Sequence, residues 1–164
     1  MRYELKDNTN FVDDYGRLPK GTIVYLNKGG QYHRLDGPAI VQPNGEEKWY
    51  QNGVLHRVGG PARYNTVGPK DELWVENGKI HREDGPAHVW GSHGKAYYYQ
   101  GVCVIDDRDR VSIPPALDAH GPSFRDLQEF VIKVRPDLAG QFKLLDMDLA
   151  RKYQYELGLS KVDL

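Results

Sequence analysis

The stretch Trp74-Val75-Glu76-Asn77-Gly78-Lys79-Ile80-His81-Arg82-Glu83-Asp84-Gly85-Pro86-Ala87 decides the fold. Asn77-Gly78 stands between short runs rich in aromatic and β-branched residues. That is the strongest local signal for a two-residue hairpin loop, because both central positions of such a loop need positive φ. The loop fixes the register: Glu76 opposes Lys79, Val75 opposes Ile80 and Trp74 opposes His81, so an opposite-charge pair and an apolar pair fall into step. Gly85-Pro86 predicts a second turn, with glycine permitting a strained backbone and proline removing a donor from the ladder. Strand alternation puts Leu73, Val75 and Ile80 on one face, and Trp74 and His81 on the other.

The pattern recurs. Tyr32-His33-Arg34-Leu35-Asp36-Gly37-Pro38-Ala39 and Leu55-His56-Arg57-Val58-Gly59-Gly60-Pro61-Ala62 match Ile80 to Ala87, and the three histidines are 23 and then 25 residues apart. Trp49 precedes Asn52-Gly53 as Trp74 precedes Asn77-Gly78, and Tyr97-Tyr98-Tyr99-Gln100-Gly101 reads as a decayed fourth copy. With Asn52-Gly53 as the loop, Gln51 opposes Val54, Tyr50 opposes Leu55 and Trp49 opposes His56; Gly37-Pro38 and Gly60-Pro61 supply the second turns. One hairpin of this size cannot bury its own apolar face, so the copies are expected to stack. The predicted fold is mainly β, an antiparallel β-hairpin repeat forming a solenoid or meander, with a C-terminal helical hairpin.

The run aromatic-x-x-Asn-Gly-x-x-His followed by a glycine turn resembles the MORN (membrane occupation and recognition nexus) repeat, over roughly residues 21–105. Trp49, Asn52, Gly53 and His56, and again Trp74, Asn77, Gly78 and His81, occupy its motif positions. MORN repeats usually carry glycine directly after the histidine, where this chain has Arg34, Arg57 and Arg82. The His-Arg-x-Asp-Gly-Pro-Ala form is more similar to repeats in proteins of tailed phages and giant viruses. The resemblance implies a viral accessory protein and no particular activity. MORN arrays mostly act as scaffolds for protein contacts, with lipid binding claimed for some.

Outside the copies, residues 1–20 are polar and read as an N-terminal cap, which a terminal repeat needs. Residues 106–122 read as a linker, charged at Asp106-Asp107-Arg108-Asp109-Arg110 and closed to continued sheet by Pro114-Pro115. From Ser123 the period changes. Ser123 and Asp126 form a variant capping box, Phe124, Leu127, Val131 and Val134 fall on one helical stripe, and the helix stops before Pro136. A second helix is expected from Asp137 to Leu157, with Leu138, Phe142, Leu145, Leu149, Tyr153 and Leu157 in line and Gly158 ending it. Residues 123–164 thus predict a helical hairpin that caps the sheet, or else a handle for a homodimer.

The chain of 164 residues carries Lys+Arg 22 against Asp+Glu 23, a formal net charge of -1, which gives no whole-molecule field toward nucleic acid or anionic lipid. The first residues lack the apolar core of a signal peptide and no run is long enough for a membrane span, so a cytoplasmic protein is expected, in the host cytoplasm if viral. A single cysteine, Cys103, excludes an internal disulfide framework.

Three site chemistries were open. Histidines two strands apart lie about 10 Å from each other, too far to share a metal held at about 2 Å. His88 and His93 bracket a loop, but two ligands without a carboxylate are a weak set, so no metal and no cofactor are expected. His33, His56 and His81 are read instead as packed on the cross-strand tryptophan and bonded to a turn carbonyl. Asp36 and Asp84 precede the Gly-Pro turn while Gly59 stands there in the middle copy, which favours an Asx-type turn bond over acid–base work.

Arg34, Arg57 and Arg82 could line a phosphate-tracking groove on the face opposite the histidines. Yet residues 21–105 hold nine Lys/Arg and eight Asp/Glu, and an arginine laid over an aromatic or paired with a repeat acid is the commoner outcome. The leading expectation is therefore a non-catalytic protein-interaction module. Its candidate binding residues are His33, Arg34, Trp49, His56, Arg57, Trp74, His81 and Arg82, and its partner is a host or viral protein. Nucleic-acid binding through the Arg and aromatic face is the second reading, and an enzyme of unrecognised type the third.

Overall fold

The computed structural model describes residues 1–6, 11–112 and 120–141. It is mainly antiparallel β with a small C-terminal helical part. Nine short strands form one open sheet in chain order: Arg2–Glu4, Ile23–Tyr25, Ile40–Val41, Glu46–Lys48, Arg63–Asn65, Asp71–Leu73, His88–Trp90, Lys95–Tyr99 and Val102–Ile105. Two-stranded ribbons continue the strands past Trp49 and Trp74. Their register is the one the Asn-Gly loops dictate, Tyr50↔Leu55 and Gln51↔Val54 in one, Val75↔Ile80 and Glu76↔Lys79 in the other. Both loop residues take positive φ, 49° and 78° at Asn52 and Gly53, 50° and 74° at Asn77 and Gly78, and 48° and 89° at Gln100 and Gly101. Tyr98 pairs with Cys103, as that third loop requires.

Pairing aligns one row across seven strands: Val24, Ile40, Lys48, Arg63, Leu73, His88 and Ala96. Residues directly opposite each other project from the same face, and this is the face that carries the core. Val24, Ile40, Leu73 and Ala96 are buried there with Tyr50, Leu55 and Val75. Each fully buried side chain of this size contributes about 1.5–3 kcal/mol. The N-terminal residues close one end of the face: Arg2–Glu4 pairs with Ile23–Tyr25, and the ribbon Val12–Asp13/Gly16–Arg17 folds back so that Leu18 is buried and Phe11 packs against the core.

At the other end α1 (Phe124–Val134) buries Leu127, Phe130 and Val131 against Tyr97, Val104, Ile105 and Val111. Its Ser123 and Asp126 complete the predicted capping box. The predicted stripe omitted Phe130, which lies against Tyr99 with ring centroids 5.1 Å apart.

Two local structures follow the sheet and α1. Asp106 to Arg110 is a tight turn, with the N–H groups of Arg108 and Arg110 donating to Asp106 Oδ1, and it returns the chain to pair Val111 with Ile105. After Arg135 the chain makes a 3-10 turn, Pro136–Leu138, with Leu138 buried, and residues 139–141 continue as helix. Of the second expected helix, residues 142–157 lie outside the described residues. No helix among the described residues is long and apolar enough to cross a membrane.

Candidate functional site

The three Gly-Pro turns are built alike, and the arginine before each explains the glycine. The guanidinium carbon of Arg34 lies 4.1 Å from the centre of the Tyr25 ring, that of Arg57 4.0 Å from Trp49, and that of Arg82 3.9 Å from Trp74. From there each Nη1 donates to the carbonyl of the turn proline: Pro38 at 3.5 Å, Pro61 at 3.1 Å and Pro86 at 3.3 Å. The guanidinium runs so close to the turn that a Cβ at Gly37 would meet it at 2.6 Å, at Gly60 at 2.8 Å and at Gly85 at 3.1 Å. None of these glycines takes positive φ. The expected backbone strain is therefore replaced by close approach: glycine is needed because an arginine passes over it.

The carboxylates serve the same arginines. Arg34 Nε donates to Asp36 Oδ1 at 2.9 Å and Arg82 Nε to Asp84 Oδ1 at 2.6 Å, which corrects the expected Asx-type turn bond. Both carboxyls are held below the usual aspartate range, first by the hydrogen bond from that arginine. In the middle copy Gly59 takes φ 73°, which Asp36 and Asp84 do not, and Arg57 keeps its ring and its proline carbonyl without a carboxylate two residues on. The Arg-x-Asp pairing recurs after α1, where Arg135 Nε donates to Asp137 Oδ1 at 2.9 Å, and Tyr97 is among the groups holding its proton. All three arginines lie on an aromatic ring and donate into their own turn.

The histidines also look inward. The N–H of Asn52 donates to His33 Nδ1 at 3.0 Å, that of Asn77 to His56 Nδ1 at 2.9 Å, and that of Gln100 to His81 Nδ1 at 3.2 Å. The expected bond to a turn carbonyl is thus reversed. The imidazole accepts from the first positive-φ residue of the next hairpin loop, so in the neutral ring Nε2 carries the proton. The tryptophan faces carry arginine where histidine was expected, while His81 meets Tyr99 edge-on at 5.0 Å. His88 sits in the core row, 4.4 Å from Trp90, and its burial lowers its pKa; His93 is in the following turn. No three metal-ligating side chains come together among the described residues.

A different constellation was not foreseen. Lys48 and Arg63 stand in the core row where the equivalent positions hold Val24, Leu73 and Ala96, and Ile40 and His88. Lys48 Nζ donates to Asp13 Oδ2 and lies 3.5 Å from Glu46, with 2% of the lysine side chain and 1% of the aspartate exposed. Arg63 bridges Glu46 at 2.8 Å and Asp71 at 3.2 Å, and the Tyr15 ring lies 4.8 Å from both cations. The Tyr50 hydroxyl donates to Asp14 at 2.9 Å, and Tyr32, which donates to the Val12 carbonyl, has its pKa pushed up to about 12, first by burial and then by Asp13. Each cation is paired with carboxylates, although the buried Asp71 Oδ1 has no hydrogen-bond partner, and the Asp13–Lys48 pair fastens the N-terminal ribbon to the sheet. The two formally charged residues Lys48 and Arg63, in a row otherwise made of Val24, Ile40, Leu73, His88 and Ala96, were the sequence signal for it.

With the recurring polar side chains turned inward, the loops display what lies between them. The residue after each arginine is Leu35, Val58 or Glu83; Leu35 is 71% and Val58 72% exposed. Glu83 is met by Lys133 of α1 at 3.5 Å. Compared with protein-family models, curated proteins and solved structures, the chain matches none.

Proposed function

We propose that the chain is a non-catalytic protein-binding scaffold, a stack of MORN-like hairpin repeats whose recurring His and Arg residues hold the stack together while its loops present the binding surface. The observation that carries this reading is the division of labour within each copy: Arg34 and Arg57 are bound to their own aromatic ring and proline carbonyl, while Leu35 and Val58 beside them are turned to solvent. Exposed aliphatic side chains at matched positions suit a protein partner better than a phosphate backbone. The likeness of the His-Arg-x-Asp-Gly-Pro-Ala form to viral repeats makes a viral accessory role the context, with a host or viral protein as partner.

Immobilised full chain is expected to retain a discrete protein from host or infected-cell lysate, and to leave duplex DNA and RNA unbound at about 50 mM salt. Nucleic-acid affinity that falls steeply with salt, in the absence of a retained protein, would put the phosphate-tracking reading in its place.

A further inference from the structure

We propose that His33, His56 and His81 form an acid-operated latch: on taking up a second proton each ring lets go of the hairpin loop it holds, so that the three loops loosen together in mildly acidic solution. The proposal goes beyond the protein-binding reading and does not depend on it. Each latch is one bond. The N–H of Asn52 reaches His33 Nδ1 at 3.0 Å, that of Asn77 reaches His56 Nδ1 at 2.9 Å, and that of Gln100 reaches His81 Nδ1 at 3.2 Å. The donors lie 19, 21 and 19 residues further along the chain, so each bond ties a histidine to the hairpin loop that follows it. Every donor is the first residue of its loop and a non-glycine at positive φ, 49°, 50° and 48°, a conformation uncommon for such residues. The next N–H of each loop makes a second tie, from Gly53 to the Tyr32 carbonyl, from Gly78 to that of Leu55 and from Gly101 to that of Ile80. The carbonyl ties do not titrate, and the imidazole ties do.

A neutral imidazole has one acceptor nitrogen and an imidazolium has none. With Nδ1 accepting, Nε2 already carries the proton, so a second proton can enter only at Nδ1, where it breaks the bond and sets two donors against each other. The unfolded chain presents no such obstacle, and its histidines charge below about pH 6.5. Unfolding therefore takes up protons in that range: the latch stabilises the fold above it and ceases to do so as the pH falls through it. The charged groups around the rings are few. Among the described residues the one carboxylate within 4.0 Å of a histidine is Glu83, at 4.0 Å from His81 Nε2, and Glu76 and Lys79 line a cleft with that ring. Tyr99 meets it edge-on at 5.0 Å. Arg34, Arg57 and Arg82 follow the three histidines in sequence and are held on Tyr25, Trp49 and Trp74. Glu83 favours an imidazolium, so His81 is the station where the charged ring is least opposed. His88 is a separate acid-sensitive group: burial lowers its pKa, Asp71 raises it and Arg63 lowers it, and it holds none of these loops.

Denaturant unfolding of the full chain at about pH 7.5 and about pH 5.5 reads the latch. The folding equilibrium constant of the parent is expected to drop between the two, by up to about tenfold for each ring. The variant H33Q/H56Q/H81Q, whose amides can accept the same bonds and do not titrate, should keep most of that loss from occurring, and H88Q should take away only the share of the core histidine. A second measurement needs no variant: in nitrogen-15 spectra of the parent, the amides of Asn52, Asn77 and Gln100 should shift, and exchange faster with solvent, in step with the titration of His33, His56 and His81 respectively. Equal parent stability at the two pH values, an acid loss that the triple variant retains in full, or one that H88Q alone abolishes each overturns the latch. So do loop amides that stay fixed while the three rings take up their protons.

Discussion

Within the second copy, Arg57 lies flat on Trp49 with its Nε facing no aspartate, while Lys48, one residue before that tryptophan, is sealed in the core against Asp13 and Glu46. The two cations belong to two economies. Arg57 is one of three alike, attached by a ring and a neutral carbonyl, and with Gly59 where the other two have aspartate its station is built without a carboxylate. Lys48 is unique among the copies and fully desolvated. Its charge is acceptable only because a carboxylate 35 residues away is brought to it. Repetition distributes stability over interchangeable stations, whereas a single buried pair concentrates it and ties one particular ribbon to one particular strand.

The largest effect should come from cutting the buried pair. Lys48→Ala leaves Asp13 enclosed without its cation, a loss of about 3–5 kcal/mol, which in a chain of this size lowers the melting temperature by about 2–4 °C per kcal/mol; Asp13→Ala should cost less, because Lys48 keeps Glu46 at 3.5 Å. Lys48→Met combined with Asp13→Leu removes both charges and should recover most of that loss. A Lys48→Ala melting temperature within a degree or two of the parent would erase the distinction between the two regions.

Next come the turn glycines. Gly37→Ala places a Cβ 2.6 Å from the Arg34 guanidinium carbon and must lift the arginine from Tyr25 and from the Pro38 carbonyl. Overpacking of this kind costs about 1–3 kcal/mol. Gly85→Ala, where the same distance is 3.1 Å, should cost least of the three and Gly60→Ala should fall between. Denaturant midpoints in the order Gly37, Gly60, Gly85 would sharpen the account of glycine as clearance for arginine; the reverse order would return the explanation to backbone strain.

These tests follow the line between what the sequence carried and what it did not. The hairpin registers at Asn52-Gly53 and Asn77-Gly78, and the capping box at Ser123 and Asp126, were legible because each is set by residues within a turn of one another. The purpose of Gly37, Gly60 and Gly85 was not, since a sequence shows a glycine without showing whether φ or clearance demands it. The direction of the histidine bonds was hidden for a related reason: Asn52 N–H reaches His33 only once residues 19 apart are brought together by the fold. The Asp13–Lys48–Glu46–Arg63–Asp71 cluster escaped because its carboxylates arrive from three separate stretches of chain. Reading the copies against one another position by position would still have marked Lys48 and Arg63 as the two formally charged residues of their row.

A smaller effect is expected at the ladder. His56→Ala removes the acceptor of the Asn77 N–H and should cost about 1 kcal/mol, read as a modest drop in denaturant midpoint. His56→Gln keeps an acceptor of similar reach and should cost less, with the fold and any partner binding intact. Loss of a measurable turnover in His56→Gln at unchanged melting temperature would instead make the ladder catalytic.

The smallest effect is the aspartate that only two of the three stations have. Asp84 is almost fully exposed, and its carboxyl is held below the ordinary range by the hydrogen bond from Arg82 and then by the charge of the same group. A carboxyl whose pKa is lowered on folding adds stability above the unfolded value, about 3.9, and that contribution is lost as the pH falls through the lower, folded value. Because the pair is surface-exposed and screened, the contribution is slight. Asp84→Asn should therefore lower the melting temperature barely detectably at pH 7, and that small difference should shrink as the pH falls through the lowered, folded value. Gly59 supplies the internal control: the middle station has no carboxylate to titrate, so Arg57→Gln should cost the same across that fall in pH, through the lost Trp49 stacking and Pro61 bond. If the cost of Asp84→Asn did not shrink at all with falling pH, the side chain would be acting through the turn backbone, and the outer stations would differ from the middle one in shape and not in charge.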